Sequence, residues 1–311
     1  MYDTVEFKLN RFDCNGVSFL EETPCYINDV SEHHYSNGNV VCGSLGNLRV
    51  SCNEYQIKVK DGSLCKWYLG DNLQTMHRKD VKLAIEKLSD TLHLPMDRAQ
   101  VTRLDVSQNF VMKCPPSVYF NHLGALKSAT RLQEPNGLYY RARDGCLCFY
   151  DKAKEQKANK EPLPEVYEGR NLLRYEQRYE KRLAKHLEVP EVRATLLYDE
   201  AFYIKVLDAW RDNYRAIQKV NEIQLNFEYM RSKRDLYTMG VLALVKDVGG
   251  QSAFMNQIKE AQQQGKLTPK QALDLRGAVN KACTIKDGLV VQSDAIAELN
   301  KKVDEAVKYY R

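Results

Sequence analysis

No stretch of this chain reaches the roughly 18 consecutive apolar residues that a membrane-spanning helix needs, so no membrane partner is expected. The opening residues, Met1-Tyr2-Asp3-Thr4-Val5-Glu6, lack the basic and apolar regions of a secretion signal, and a cytoplasmic location is expected. The nine cysteines are an odd number without a Cys-x-x-Cys pair. Neither a disulfide framework nor a structural zinc site is therefore expected, and the cysteines read as free thiols. Cys146 and Cys148 share one face of an expected strand, where small buried hydrophobes are the plainer reading than metal ligands. Internal repeats are missing, and net charge is small: 46 Lys and Arg against 41 Asp and Glu leave +5 in 311 residues. That balance permits a polyanionic partner without demanding one.

What is present is core material, with 43% hydrophobic residues, arranged in changing periods. Up to about residue 70, short alternating runs are separated by turn residues at Cys14-Asn15-Gly16, Ser36-Asn37-Gly38-Asn39 and Lys60-Asp61-Gly62-Ser63, the pattern of antiparallel strands. Val81, Ile85, Leu88 and Leu92 then predict a helix closed by Pro95. Val101 to Met112 predicts a strand, Pro115-Pro116 a helix start reaching about Leu126, and Leu138 to Tyr150 two strands turning near Asp144-Gly145. Residues 153 to 168 read as a loop or frayed helix, and Asn171 to Tyr179 as a strand. Beyond residue 190 helices are expected at Phe202 to Ile223, Gln251 to Gln264, Thr268 to Ala282 and Ser293 to Tyr310. Thr268, Pro269 and Gln271 supply the start signals of the third. A turn is expected at Asp287-Gly288, and Gly249-Gly250 reads as a hinge between the first region and the tail. The fold class is α+β: an antiparallel sheet with helices on one face, followed by an all-helical C-terminal region.

Three segments place ionisable groups on expected strands: Thr102-Arg103-Leu104-Asp105-Val106, Phe149-Tyr150-Asp151-Lys152 and Arg174-Tyr175-Glu176-Gln177-Arg178. Asp is disfavoured in strands, and a buried carboxylate needs a partner or a metal. Alternation puts Arg103 and Asp105 on one face, and likewise Arg174, Glu176 and Arg178. Two carboxylates so placed can converge on a hard cation; the alternative is a set of ion pairs on a solvated face. Tyr150 is one of 19 tyrosines. Its distinction is Lys152, which on a continuing strand would point the same way and could stabilise phenolate or a phosphate oxygen. The adjacent His33-His34 pair lacks the His-x-His spacing that sets two imidazoles on one strand face, and reads as a loop pair beside Asn37-Gly38.

In this order the three segments resemble the gene II and gene X family of filamentous phage and plasmid replication proteins. That family has an Arg-Ile-Asp strand, a Tyr-x-Lys-x-x-Glu element and an Arg-Phe-Glu strand followed by basic residues. The matching residues are Arg103-Leu104-Asp105, Tyr150 to Glu155, and Arg174-Tyr175-Glu176 with Arg178, Lys181, Arg182 and Lys185 downstream. Leu187-Glu188-Val189-Pro190 and the segment Asp61 to Asn72 are also similar to family members. The resemblance implies a DNA-nicking enzyme of rolling-circle replication in a bacterial host cell. Its catalytic unit would span residues 1–190, a β-rich region at 1–70 and a core at 71–190, with a helical region at 191–311. It further implies Tyr150 as nucleophile with Lys152 and Glu155 in the catalytic element, and Mg²⁺ or Mn²⁺ held by Asp105 and Glu176. Arg103, Arg174, Arg178, Lys181, Arg182 and Lys185 would hold DNA, as single strand or supercoiled duplex at an origin. A host helicase and polymerase would follow as partners. Some plasmid relatives have a second acidic residue four positions after the first; here Asn109 stands there, an oxygen ligand that would add no charge.

Two other readings stay open. One is a DNA-binding regulator without catalysis, using residues 251–264 and 268–282 as a helix-turn-helix, although two packed helices look the same in sequence. The other is a metal-dependent phosphodiesterase that activates water, with Tyr150 only packing and Tyr139, Tyr140 and Tyr179 as alternative tyrosines.

Overall fold

Alternation governs the first strand: in β1 (Tyr2–Asn10) Val5, Phe7 and Leu9 are buried, while Glu6, Lys8 and Asn10 are only partly covered on the other side. The computed structural model describes residues 1–14, 16–36, 38–220, 222–223, 230–284, 290–291 and 293–311. The expected Asp287-Gly288 turn lies outside the described residues, as do Asn15 and Asn37 of two other expected turns. Further strands are β2 (Asn28–Tyr35), β3 (Gly38–Leu45), β4 (Leu48–Cys52), β5 (Gln56–Lys60), β6 (Gln100–Met112), β7 (Thr130–Glu134), β8 (Gly137–Arg141), β9 (Gly145–Asp151) and β10 (Asn171–Tyr179). They form one ten-stranded sheet in the order β2-β3-β4-β5-β1-β6-β10-β9-β8-β7, and every neighbouring pair is antiparallel. At the Asp144-Gly145 turn a side chain has no room, since a Cβ on Gly145 would lie 2.1 Å from the Arg178 carbonyl oxygen.

The helices are α1 (Phe19–Glu22), α2 (Leu64–Leu69), α3 (Arg78–Leu92), α4 (Pro116–His122), α5 (Lys152–Ala158), α6 (Leu183–His186), α7 (Glu200–Ala216), α8 (Lys233–Asp247), α9 (Gln251–Gln263), α10 (Pro269–Thr284) and α11 (Asp294–Tyr310). The predicted stripe Val81, Ile85, Leu88 and Leu92 of α3 is buried in full. The sheet's apolar face meets α7 through a stack of rings: Phe149 on Tyr175 with centroids 4.5 Å apart, and Tyr175 on Trp210 at 4.6 Å. The Tyr175 hydroxyl, which would otherwise be an unpaired donor, donates to the Trp210 carbonyl at 2.9 Å. This core continues past residue 190 through Val192, Leu197, Val206 and Ile217, and α11 returns to it with Ile296, Leu299 and Val303. Helices α8 to α10 have a smaller apolar cluster of their own, made of Val245, Ile258, Ala272 and Val279.

The antiparallel sheet with packed helices and the helical C-terminal region are as expected; several local expectations are corrected. Helix α4 stops at His122 instead of Leu126, because Arg131 donates to the Phe120 and Leu123 carbonyls and closes its end. Helix α7 stops at Ala216 instead of Ile223. Gln218 and Val220 there donate from their backbone to the carbonyls of Ala125 and His122, so an extended pairing replaces the helix. Of the stretch read as a loop or frayed helix, the part up to Ala158 is helical, in α5, whereas His33 and His34 lie on the edge strand β2 and not in a loop. Gly249-Gly250 joins α8 to α9, two helices that share the smaller cluster. The three start signals of α10 hold: the Gln271 amide nitrogen donates to Thr268 Oγ1 at 3.3 Å, and Thr268 N donates to Gln271 Oε1 at 2.9 Å. The start of α7 depends on Asp199, whose carboxylate accepts from Phe202 N at 2.9 Å. Asp199→Ala is expected to lower stability by about 1 kcal/mol in urea unfolding; an unchanged midpoint would mean the cap contributes nothing.

Candidate active site

Strand register assembles the polar residues of the three flagged segments. Arg178, Glu176 and Arg174 on β10 lie opposite Asp105, Ser107 and Asn109 on β6. Across β10's other edge they face Cys146, Cys148 and Tyr150 on β9. Because a strand has period two, all of these share the face opposite Leu173, Tyr175 and Phe149. Segment 70–76 covers one end of this face: the Asn72 carbonyl accepts from Arg174 Nη1 at 2.9 Å, and Asn109 Nδ2 donates to the carbonyls of Asn72 and Leu73 at 3.1 and 3.0 Å.

Glu176 is the centre of the arrangement. Its Oε2 accepts from the Tyr150 hydroxyl and from Arg174 Nε, each at 3.1 Å, and its Oε1 accepts from Arg178 Nε at 2.5 Å. Burial opposes its charge, but Arg174 and then Arg178 outweigh it and hold the carboxyl below the usual carboxylate range. Arg174 is 1% exposed and also binds Asp3 Oδ2 and Asn109 Oδ1, a fork geometry that lysine could not supply. Asp105 is gripped by Arg103, with Nε on Oδ1 at 3.0 Å and Nη2 on Oδ2 at 2.8 Å. Burial raises the Asp105 carboxyl despite Arg103, and the Glu176 charge beside it adds to the rise. The partly buried Tyr150 phenol is held well above its ordinary value, first by burial; Arg174 pulls it down, and Glu176 pushes it further up.

Lys152 does not continue the strand. Asp151 caps α5, its carboxylate accepting from Lys154 N, so Lys152 becomes the first helical residue. It is fully buried, with Nζ on Glu155 Oε2 at 2.6 Å. Cys146 and Cys148 share the site's face, their sulfurs 3.6 Å apart, and all nine cysteines are free. Lys181, Arg182 and Lys185 lie beyond β10 in exposed positions, Arg182 within 3.7 Å of Asp144. Sequence reasoning missed Asp3, although the criterion that flagged Asp105, a carboxylate inside a strand pattern, applies to it equally. The carbonyls of Asn72 and Leu73 carry no such signal.

Asp105 and Glu176, two buried carboxylates on strands β6 and β10, have the hard-oxygen chemistry that a divalent cation requires. All four of their oxygens accept from guanidinium groups. An ion would have to displace Arg103 or Arg178, whose side chains are 28% and 31% exposed, whereas Arg174 at 2% is fixed. The Asn109 amide is committed to Arg174 and the covering segment. Among the described residues no group of three or more His, Cys, Asp or Glu forms a metal centre, and no helix is long and apolar enough to cross a membrane.

Comparison with curated proteins returns no match. Residues 1–212 match the Phage_CRI family model, which describes the N-terminal region of the gene II replication-associated protein. That stretch runs from β1 into α7 and contains every side chain of the site. With well over half its length matched, the chain belongs to this gene II/X family of replication-associated proteins, which supports a general role in rolling-circle initiation with DNA as partner.

Proposed function

We propose that the protein nicks one DNA strand at a replication origin, with Tyr150 as nucleophile. The observation that carries this reading is the hydrogen bond from the Tyr150 hydroxyl to Glu176, a carboxylate clamped by two arginines on the polar face of the sheet. The phenol oxygen attacks the phosphorus in line. The P–O3′ bond breaks, a 5′-phosphotyrosine forms, and the freed 3′-OH primes a host polymerase behind a host helicase. The phenolic proton passes to Glu176, and the departing O3′ takes a proton from solvent to become the 3′-OH. While both arginines hold it, Glu176 is too weak a base for that transfer; a scissile phosphate that draws the partly exposed Arg178 to itself strengthens the base as it binds the substrate. Lys152 and Glu155, paired on the first turn of α5, act as positioning residues behind Tyr150. Lys181, Arg182 and Lys185 hold the flanking backbone.

Mg²⁺ or Mn²⁺ would be held by Asp105 and Glu176 once Arg103 and Arg178 turn outward, and when bound it neutralises charge on the phosphate oxygens. Mn²⁺ binding followed by calorimetry is expected to weaken about 10-fold or more in Asp105→Asn. Equal binding by that variant and the wild type would remove the ion from this pair.

The test of function is supercoiled DNA bearing the cognate origin, with Mg²⁺ or Mn²⁺. Relaxed product with protein covalently on the 5′ end is expected. Relaxation without an adduct would point to activated water, and binding without relaxation to a regulator.

A further inference from the structure

Positive charge on the site's face is of two kinds. Arg103, Arg174 and Arg178 are bound to Asp105, Asp3 and Glu176. They are largely neutralised where they stand. A second set lies on the N-terminal half of the same face. Glu6 lies opposite Arg103, with 3.8 Å between their charged groups, so the outward side of β1 is continuous with the site. Two residues further along that side is Lys8, directly opposite Lys58 on β5; Arg49 on β4 is directly opposite Lys60. Ile57, Val59, Leu48 and Val50 are buried on the reverse face, which fixes these cations to the outer one.

Like charges set directly across antiparallel strands destabilise the pairing. Threonine or another β-branched residue at these outward positions would suit the strands better. Lys60 has Asp61 at 3.2 Å, but Lys8, Arg49 and Lys58 have no ion-pair partner among the described residues. One facing like-charge pair, Lys8 with Lys58, is uncompensated inside the fold, and Arg49 beside it lacks a counter-charge of its own; continuous with the proposed site for phosphodiester chemistry, these cations suit an external polyanion. With strands about 4.8 Å apart, the surface from Tyr150 on β9 to Arg49 on β4 crosses five strand spacings, about 24 Å. That is long enough for several nucleotides.

We infer that Lys8, Lys58, Arg49 and Lys60 form a phosphate track that carries a single DNA strand from the nicking site across the N-terminal half of the sheet. The inference rests on the proposed function for its ligand, but it locates backbone contacts away from the family-like basic residues after β10. The track reads charge and not sequence.

The experiment is salt-dependent binding of a mixed-sequence single-stranded oligonucleotide, long enough to span the sheet, to the full chain. The wild type is compared with Lys8→Thr/Lys58→Thr and with Lys308→Ala on α11 as an exposed control. The double variant is expected to bind about 10-fold more weakly, with its log–log salt slope shallower by about 1.4 for two lost phosphate contacts. Its melting temperature should hold or rise, because the facing charges are gone, and the control should match the wild type. Unchanged affinity and slope in the double variant would overturn the track, as would a lost affinity accompanied by a fall in melting temperature. Equal losses in Lys308→Ala would mean net charge alone is sensed, which also overturns it. Failure of the nicking reading is seen separately, as absence of relaxed product and adduct from wild-type protein that still binds the oligonucleotide with this slope.

Discussion

Tyr150→Phe is expected to abolish the covalent protein–DNA adduct and to reduce nicking by on the order of 10⁴-fold, while leaving the fold intact. The separation of the two effects follows from the geometry. Removing the hydroxyl deletes one donor to Glu176, whose oxygens keep Arg174 and Arg178, so the stability change should stay near about 1 kcal/mol. The other tyrosines of this region behave differently. Tyr140 lies on the apolar face, where its hydroxyl donates to the Gly124 carbonyl at 2.6 Å; Tyr140→Phe should cost about 1 kcal/mol of stability and keep the adduct. Tyr179 is likewise buried with the core. Tyr139 is the stringent control, because it sits opposite Cys148 on the site's own face. An adduct retained in Tyr150→Phe and lost in Tyr139→Phe would transfer the nucleophile to Tyr139. Trapping the adduct on a labelled 5′ end and mapping the modified peptide decides between them.

Arg174→Met should cause the largest loss of stability among the site variants, about 3–5 kcal/mol. The side chain is buried and serves Asp3, Glu176, Asn109 and the Asn72 carbonyl at once. Its removal leaves Asp3 without a cation and Glu176 with Arg178 alone in a poorly solvated place, and frees the segment that covers the site. Arg174→Lys should recover only some of this, since one ammonium cannot reach four acceptors in different directions. Adding Asp3→Asn to Arg174→Met should restore some stability by removing one stranded charge, a coupling that a double-mutant cycle in urea would read. A loss under about 1 kcal/mol for Arg174→Met would mean that the cluster is hydrated and that Arg174 does not organise Glu176.

Much of the fold was legible because it depends on local rules. The β10 strand, the apolar stripe of α3 and the cap at Thr268 all follow from spacing over a few residues, and each is observed. The candidate site was legible for the same reason: period-two alternation puts Arg103 with Asp105, and Arg174 with Glu176 and Arg178, before any strand is paired. The failures fall where a distant partner decides. Ile217 and Val220 have helical spacing, yet their segment pairs in extended form with residues 122–125. Lys152 reads as strand in sequence because apolar alternation precedes it, but the Asp151 cap turns the chain into a helix and buries the ammonium.

By itself, then, the sequence determined which residues of the site share a face of each strand, that α3, α9, α10 and α11 are helical, and through its ordered motifs the replication-associated family. Only the tertiary structure decided that β1 lies between β5 and β6. That strand order brings Asp3 to Arg174, 171 residues away, and sets Lys8 against Lys58 on the face that carries Tyr150. Neither outcome can be read locally, because the energy of a charge depends on what is packed against it, and alternation specifies a side of the strand without specifying its neighbour.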